Sequence, residues 1–361
     1  MLAGEAVNGR PWRLAIAGCG AAAFGLHLPL LTQHTGFTVV AVADRDPRRA
    51  QAAAHRFGVP HTATSVEELL AGCDMLVVLT GVHDELIDAA LDAGVHVFTE
   101  KPVSLSLERT RALRRKAEAA GLLLEVGAMR AYDPALHALL RHVPAPAGGW
   151  LIKTDGVDAA IRSRLLPVGF SPYTFDQDPP QPTPAGIDGP RLRALQILLW
   201  QGYHLLTALA VTAEQLRPVA CALDGRGQSL HASVAAPGGQ TFTLLIGPAP
   251  DGVFHEQIHL IGDQRAATLD FAQPYGSSAL TRLTTHAAGD LTRPADGFGD
   301  PFTAMWTAIG RRLSGEPGDH LDSAALAEQI EDLAVRLAVL TQEAPALPTT
   351  TAIVDQAQLG R

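Results

Sequence analysis

Two short motifs place chemically capable side chains where apolar runs end or are interrupted. The segment "HVFTEKPVS" puts Glu100 and Lys101 directly after an apolar run, and "QGYH" puts His204 inside an otherwise apolar segment. An ammonium can donate a hydrogen bond to a substrate oxygen, and an imidazole can transfer a proton near neutral pH. Each also has a simpler explanation, a surface lysine before a turn proline and a hydrogen-bonded core histidine. Their surroundings must therefore decide between these interpretations.

A glycine-rich segment near the start of the chain, "LAIAGCGAAAFG", has the spacing of a dinucleotide-binding turn. Gly18 permits the tight turn, Gly20 lets the backbone approach a pyrophosphate, and the small Ala23 lets helix and strand pack closely. Backbone N–H groups at the start of the next helix would face the phosphates. We therefore predict a phosphate-binding loop, whose cofactor contacts come from Gly18, Cys19, Gly20, Ala22, Ala23 and Phe24.

The residues after the second apolar run bear on which dinucleotide is bound. Asp44 follows "FTVVAVA" and could accept hydrogen bonds from the adenosine ribose, which favours NAD. Arg45, Arg48 and Arg49 follow at once, and any of them could bind a 2′-phosphate, so NADP stays open. Further cofactor contacts are expected from residues near the ends of later strands, namely Thr80, Gly81, His83, Glu100, Lys101 and Met129.

The elements that must position these residues alternate along the first part of the chain. Short apolar runs such as "MLVVLT" are separated by alanine-rich helical segments such as "PRRAQAAAHRFG", which is typical of a parallel sheet covered on both faces. Ligands bind outside the carboxyl ends of such strands, which would place Lys101 beside a nicotinamide. Pro29 also predicts that the first helix is kinked or broken near His27, a residue we interpret as structural.

Proline and glycine in "VPAPAGG" indicate a change of architecture. We predict an α/β Rossmann domain at residues 12–145 and an α+β domain for substrate binding and oligomerisation at 146–361, with a largely antiparallel sheet. Helices are expected near residues 191–211 and towards the C-terminus, from which a segment could return to the first domain. The proline-rich stretch 167–190 is a lid, an assembly arm or disordered.

Length, charge and cysteine content argue against several classes of protein. A chain of 361 residues is long enough for two domains, and its net charge of −9 argues against nucleic acids or anionic membranes as partners. The three cysteines have no metal-ligand spacing, and no apolar run reaches the roughly 18 residues of a membrane helix. We expect a cytoplasmic protein without a metal that binds a small molecule.

Several of these segments together resemble the Gfo/Idh/MocA family, named after glucose-fructose oxidoreductase and inositol dehydrogenase. The segments are "AGCGAAAFGLHLPLL", "TGVHDELIDAALDAGVHVFTEKPVSLSLE", "GAMRAYDP" and "QGYHLLTAL", which span most of residues 12–210. The resemblance implies a Rossmann domain and a substrate domain whose sheet forms a homodimer or homotetramer. It also implies hydride transfer between NAD or NADP and a secondary alcohol or carbonyl of a sugar, cyclitol or specialised biosynthetic intermediate. Lys101 would contact cofactor and substrate, and His204 would be the general acid or base.

One position departs from the family pattern, which usually has an aspartate four residues before the histidine. This chain has Trp200 there, and an indole cannot accept a proton in its place. Trp200 could instead stack on an apolar or aromatic ring of a less hydroxylated substrate. Tyr132 is a further expected pocket residue. Another side chain could replace the aspartate, with Asp155, Tyr173, Asp176, Asp178 and Tyr203 as candidates.

Two other functions fit the same residues. A bound NAD that oxidises a sugar only transiently would support a redox-neutral elimination or glycoside cleavage. Alternatively, the protein binds a nucleotide as a regulator, without turnover. The presence of both Lys101 and His204 argues against the regulator.

Overall fold

The computed structural model describes residues 10–81, 84–156, 159–172, 183–250, 252–275, 280–287 and 293–343. Its first sheet has central strands that are buried on both faces, as their continuous apolar runs predict. The strands are β1 (Trp12–Ala17), β2 (Phe37–Ala43), β3 (His61–Thr62), β4 (Met75–Val78), β5 (His96–Thr99) and β6 (Leu124–Val126). They run parallel in the order β3-β2-β1-β4-β5-β6, which confirms the predicted doubly wound arrangement.

Helices link these strands and cover the sheet. They are α1 (Leu28–Leu31), α2 (Pro47–Phe57), α3 (Val66–Leu70), α4 (Asp84–Asp92), α5 (Leu107–Ala120) and α6 (Pro134–His142). The side chains of Asp46 and Ser106 accept backbone N–H bonds at the starts of α2 and α5, which fixes where these helices begin. A π-helical segment, Ala23–His27, precedes α1 and is the interruption predicted from Pro29.

The second sheet is mixed and mostly antiparallel, as predicted. Its strands are β7 (Gly148–Asp155), β8 (Arg217–Leu223), β9 (Leu230–Ala235), β10 (Thr241–Pro248), β11 (Phe254–Ile261), β12 (Arg265–Asp270), β13 (Arg282–Ala287), β14 (Arg293–Ala295) and β15 (Thr341–Glu343). Their order is β14-β13-β12-β11-β7-β10-β9-β8-β15, with β7–β10 and β8–β15 as the parallel pairs. The helices of this half are α7 (Ala159–Leu165), α8 (Gly189–Gln196), α9 (Tyr203–Thr212), α10 (Pro301–Leu313) and α11 (Ser323–Val339).

The helix predicted near residues 191–211 is not continuous. A π-helical segment, Ile197–Gln201, follows α8, and the axis then bends by 75° before α9. A Cβ on Gly202 would lie 2.5 Å from Cδ1 of Ile246, so the glycine allows the bend to pack on β10. The helical segment predicted there is confirmed, but the apolar pattern does not record this contact or the bend that it allows. No single described helix is long and apolar enough to cross a membrane; the bent pair reaches that length and composition only when combined.

Helices α10 and α11 pack against the first sheet from the C-terminal end of the chain. Trp306 and Met305 of α10 share a buried apolar cluster with Phe98 of β5. On α11, Ser323 accepts a backbone hydrogen bond from Val126. These contacts hold α10 and α11 beside the strands β5 and β6.

Candidate active site

A cleft of about 530 Å³ lies where the C-terminal ends of β1, β4 and β5 face β7 and the bend before α9. This is the edge at which doubly wound sheets bind their ligands. Many residues predicted for the site share this cleft. They are Gly18, Gly20, Ala22, Asp44, Arg45, Thr80, Gly81, Glu100, Lys101, Met129, Asp155, Trp200 and His204.

The glycine loop has the shape that a pyrophosphate needs. Gly18 has φ +98°, and a Cβ there would lie 2.9 Å from the backbone of Leu79, so only glycine fits this turn. A Cβ on Gly20 would meet no atom within 4 Å, which leaves room for a ligand against the backbone. Ala23 and Phe24 are buried in the core and do not line the cleft. A dinucleotide therefore fits the loop formed by Gly18, Gly20 and Ala22.

Asp44 is held in place at the predicted ribose position. Its carboxylate accepts hydrogen bonds from the backbone N–H groups of Cys19 at 2.7 Å and Asp46 at 2.9 Å. The Cys19 side chain itself is buried, so this residue contributes to the site through its backbone. The bonds link the second strand to the glycine loop and orient the carboxylate at the edge of the cleft.

Arg49 also lines the cleft but is engaged by the segment after α7. Its guanidinium donates a hydrogen bond of 2.6 Å to the Ser171 carbonyl and lies 5.1 Å from the centroid of the Phe170 ring. Arg48 instead pairs with Asp46 at 2.7 Å and does not line the cleft. His83 lies outside the described residues, so its predicted contact stays a prediction.

Glu100 is fixed by a chain of buried hydrogen bonds. Trp306 donates from Nε1 to Nδ1 of His27 over 3.2 Å, and Nε2 of His27 lies 3.1 Å from Oε1 of Glu100. An indole N–H can only donate, so Nδ1 accepts and Nε2 carries the proton that bonds Glu100. Burial opposes ionisation of Glu100, but the bond from His27 and the charge of Lys101 outweigh it and lower its pKa. The next residue, Lys101, therefore has a carboxylate neighbour.

Lys101 projects from the end of β5 across the cleft, as predicted. Its Nζ donates a hydrogen bond of 3.1 Å to the carbonyl oxygen of Trp200, at the bend before α9. Burial lowers the pKa of Lys101 to about 8; Glu100 opposes this shift, while Lys153 and Arg162 add to it. The amine is thus mostly protonated at pH 7 and can still exchange a proton near neutrality.

His204 lies on the same cleft, just beyond the bend. Its Nδ1 is buried and has no hydrogen-bond partner among the described residues. Burial, together with the charges of Lys153 and Lys101, holds the pKa of His204 well below the usual range. The imidazole is therefore neutral at pH 7 and can accept a proton.

Two predicted pocket tyrosines lie elsewhere. Tyr203 is fully buried beneath the cleft; its ring centroid lies 5.8 Å from Nζ of Lys101, and its hydroxyl has no described partner. Burial raises the pKa of Tyr203 well above the usual value, so it does not supply a base. Tyr132 lines a separate cavity of about 720 Å³ beside α6 and α10. Several residues are proposed to replace the aspartate that the family usually has before the histidine. Among those that the structure describes, Asp155 is the acid that lines the cleft.

Lys153 is a site residue that the sequence reasoning missed. It lies on β7 two residues before Asp155, and its Nζ donates a hydrogen bond of 2.9 Å to Glu256 on the neighbouring strand. Glu256 also accepts a bond of 2.8 Å from Arg130, and its pKa is lowered because these two cations outweigh the effect of burial. Strand alternation could have revealed Lys153, because it shares a face with the buried Leu151.

Asp155 is fixed by polar neighbours in the same part of the cleft. Gln201, at the bend before α9, donates from Nε2 to Oδ1 of Asp155, and Nζ of Lys153 lies 3.8 Å from Oδ2. Arg162 and Tyr275 complete this end of the cleft and were also missed. Asp176, Asp178 and Tyr173 lie outside the residues that the structure describes.

Comparison with known proteins supports the assignment of the nucleotide-binding half. Residues 12–128 match the family model described as the oxidoreductase family with an NAD-binding Rossmann fold. Over this nucleotide-binding half, the chain is similar to the Gfo/Idh/MocA oxidoreductases. The resemblance noted in the sequence is thereby confirmed.

Relatives in the Gfo/Idh/MocA family align mainly over the first half. Myo-inositol dehydrogenase Hyg17 of Streptomyces leeuwenhoekii is 39% identical over 126 residues, which cover 34% of this chain and 38% of that protein. scyllo-Inositol 2-dehydrogenase (NAD(+)) of Bacillus subtilis is 31% identical over 137 residues, covering 37% and 40%. The alignments therefore span about two fifths of the length of these curated relatives.

Solved structures extend the likeness of fold to the second sheet. KijD10, a 3-ketoreductase from Actinomadura kijaniata crystallised with NADP and TDP-benzene, superposes with a TM-score of 0.71. The match covers 92% of this chain and 98% of KijD10 at 20% identity. It shows that the two chains share the fold of both sheets.

Proposed function

We propose that this protein is an NAD(P)-dependent oxidoreductase that moves hydride between the nicotinamide and a CH–OH or carbonyl carbon. The observation that carries the proposal is the meeting of Lys101 and His204 in one cleft with a glycine loop suited to a pyrophosphate. The bound dinucleotide would supply the hydride acceptor or donor. Gly18, Gly20, Ala22 and Asp44 would hold it, and Thr80, Glu100 and Met129 would line its site.

Lys101 and His204 have different roles at the substrate oxygen. The Lys101 ammonium donates a hydrogen bond to that oxygen and stabilises negative charge on it as the C–H bond breaks. The neutral His204 accepts the hydroxyl proton during oxidation and returns it during reduction. In this structure Nζ of Lys101 donates to the Trp200 carbonyl, so the ammonium already points across the cleft.

NAD is the favoured cofactor. The Asp44 carboxylate is oriented at the cleft edge by two backbone bonds and would accept hydrogen bonds from a ribose, whereas it would repel a 2′-phosphate. Arg49, a candidate to bind that phosphate, already donates to the Ser171 carbonyl. Arg45 also lines the cleft and is the residue through which NADP would be accepted.

The substrate is a secondary alcohol, or the matching ketone, of a sugar, cyclitol or specialised biosynthetic intermediate. Relatives named as inositol dehydrogenases support a polyol-like substrate. Trp200 adds an apolar wall where the family usually has an aspartate, and Asp155 offers a carboxylate from β7. This arrangement favours a substrate with fewer hydroxyl groups on the side that faces Trp200.

We further propose that the outer face of the mixed sheet joins two copies of the chain. Trp150 on this face is 38% exposed and stacks on His259 at a ring distance of 3.9 Å. Ile261 on the same strand as His259 is 42% exposed. Exposed apolar side chains on an open sheet are typical of an interface between protein subunits.

The test of the function is turnover by wild type and by Lys101→Met. We expect reduced-nicotinamide absorbance to change with one class in a panel of polyols, sugars, keto sugars and cyclic imines. Lys101→Met should lower kcat about 10²- to 10⁴-fold. Fluorescence titration should show NADH bound more tightly than NADPH, and affinity for NADH largely unchanged in the variant.

Lys116→Met is the matched control, because this lysine lies on α5 and pairs with Asp88 and Asp92, away from the cleft. It should turn over like wild type. Wild-type rates in Lys101→Met would contradict the proposed role of the lysine. Tight dinucleotide binding without turnover of any panel member would contradict the dehydrogenase and favour a redox-neutral enzyme or a regulator.

A further inference from the structure

We propose that Arg162 binds an anionic substituent of the substrate, a carboxylate or a phosphate, at the end of the cleft bounded by Tyr275. This inference rests on the proposed function and specifies the substrate class. It starts from a guanidinium that faces the cleft with one buried donor and no described acceptor.

The surroundings of Arg162 leave its charge unbalanced. It lies on α7 and lines the cleft, with its guanidinium carbon 5.2 Å from the centroid of the Tyr275 ring. Its Nε is buried without a hydrogen-bond partner, and no carboxylate of the described residues forms an ion pair with it. A buried donor that stays unpaired costs free energy, which a bound oxyanion would recover.

Three acidic residues near Lys101 and Lys153 are already paired with other groups. Glu100 accepts a bond from His27, and Glu256 accepts bonds from Arg130 and Lys153. Asp155 accepts a bond from Gln201. These bonds leave Arg162 without an acidic partner among the described residues.

The Arg162 guanidinium lines the same cleft as Lys101 and His204, the residues proposed to take part in hydride transfer. The charge of Arg162 contributes to the lowered pKa of Lys101, which requires the two side chains to be near each other. A guanidinium presents a planar fork of N–H groups that matches a carboxylate or a phosphate. A substrate anchored there would present a neighbouring carbon to Lys101 and His204.

The pyrophosphate of the dinucleotide is the other source of such an anion. A Cβ placed on Gly25, in the π-helical segment after the glycine loop, would lie 2.6 Å from Leu165 of α7, so α7 runs close to the phosphate-binding loop. The two sources predict different losses when Arg162 is removed. A substrate anchor affects the affinity for charged substrates, whereas a pyrophosphate contact affects the affinity for NAD.

The experiment compares charged and neutral probes by isothermal titration calorimetry on protein saturated with NAD⁺. The pairs are D-glucuronate with D-glucose, D-glucose 6-phosphate with D-glucose, and myo-inositol 1-phosphate with myo-inositol. For wild type we expect at least one anionic probe to bind about tenfold or more tightly than its neutral partner, as for one charge-assisted contact. Arg162→Gln should abolish that preference, and Arg162→Lys should retain part of it.

Arg164→Gln is the control, because Arg164 lies on the same helix, is exposed and does not line the cleft. It should keep the wild-type preference. Anionic probes that bind no more tightly than neutral ones, or do not bind, would overturn the proposal. The proposal would also be overturned if Arg162→Gln kept the preference for anionic probes. It would be overturned likewise if the main effect of that substitution were a lower affinity for NAD⁺. Because calorimetry needs no turnover, a retained preference without hydride transfer would refute the dehydrogenase and not the anion site.

Discussion

At the scale of single residues, burial in the cleft lowers the pKa values of Lys101 and His204 by different amounts, so that one is charged and the other neutral at pH 7. Burial lowers the pKa of Lys101 to about 8 and lowers that of His204 well below its usual value. At pH 7 the lysine is mainly charged and the histidine is neutral. This combination provides a hydrogen-bond donor and a base for oxidation of an alcohol without any change in the protein.

These pKa shifts predict the pH profile of oxidation. His204 must be neutral, so kcat/KM should reach its plateau below the pH expected for an ordinary histidine. Lys101 must be protonated, so kcat/KM should fall as pH rises through about 8. In Lys101→Arg the residual activity should lose this alkaline decline, because a guanidinium keeps its charge. The measurement is kcat/KM from about pH 5 to pH 10; an unchanged alkaline decline in the variant would assign it to another group.

At the scale of elements, features that depend on a local run of residues can be predicted from the sequence. Contacts between residues that are distant in the chain cannot. The glycine loop, the parallel strands and the position of Lys101 at a strand end all follow from local runs of residues. Strand alternation places Lys153 on the inward face, but its ion pair does not follow from a local run, because Glu256 lies across the β7–β11 pair. The bend at Gly202 depends on Ile246 in the same way.

A different kind of information could have drawn attention to Lys153. The whole chain contains three lysines, Lys101, Lys116 and Lys153, and two of them line the cleft. Both cleft-lining lysines lie near the end of a strand. Lys101 follows β5, and Lys153 lies two residues before the end of β7. In a chain with only three lysines, a lysine within an apolar strand stands out from the sequence alone.

Helix α11 supports the loop of Lys101 through a buried acid. Glu331 accepts a hydrogen bond of 2.9 Å from the N–H of Val103 and another from the Thr110 hydroxyl. Burial, reinforced by the charge of Asp84, outweighs these bonds and raises the pKa of Glu331 to about 8. The folded protein therefore keeps a proton on Glu331 that the unfolded chain loses above its ordinary pKa of about 4.3.

This linkage predicts the effect of Glu331→Gln on stability. Between about pH 4.3 and 8 the folded state binds more protons at this residue, so the Glu331 contribution to the free energy of unfolding falls as pH rises. The amide is always neutral, so the variant should lose this decline and gain stability relative to wild type towards pH 8. The measurement is urea unfolding at a series of pH values.

Glu328 on the same helix provides a control, because its pKa is shifted in the opposite direction from that of Glu331. It pairs with Arg111 and Arg114, and although burial opposes this, its pKa is lowered. Glu328→Gln should therefore destabilise the protein most above the pKa of the carboxylate in the unfolded chain. Parallel pH curves for wild type and Glu331→Gln would show that Glu331 is ionised in the folded protein.

At the scale of the whole molecule, the mixed sheet has one covered face and one open face. Its inward positions form the buried core beneath α9 and α11. The outward positions of β7, β9, β10 and β11 include no Lys, Arg, Asp or Glu. These positions are occupied by Trp150, Ile152, Thr154, His231, Ser233, Ala235, Thr241, Thr243, Leu245, His255, Gln257, His259 and Ile261. Depletion of charge over so broad a face favours contact with a second copy, because interface centres exclude charged residues.

Trp150→Arg tests this assembly. In a two-fold contact each residue meets the same patch on its partner, so the substitution places two guanidinium groups in one apolar interface without acids to pair them. We expect wild type to sediment as a dimer or larger oligomer and Trp150→Arg to shift towards the monomer, while NADH binding shows that the first sheet is intact. Gln51→Arg, at an exposed position of α2, adds the same charge away from this face and should not change the mass. A monomeric wild type, or an unchanged mass for Trp150→Arg, would show that this face does not join subunits.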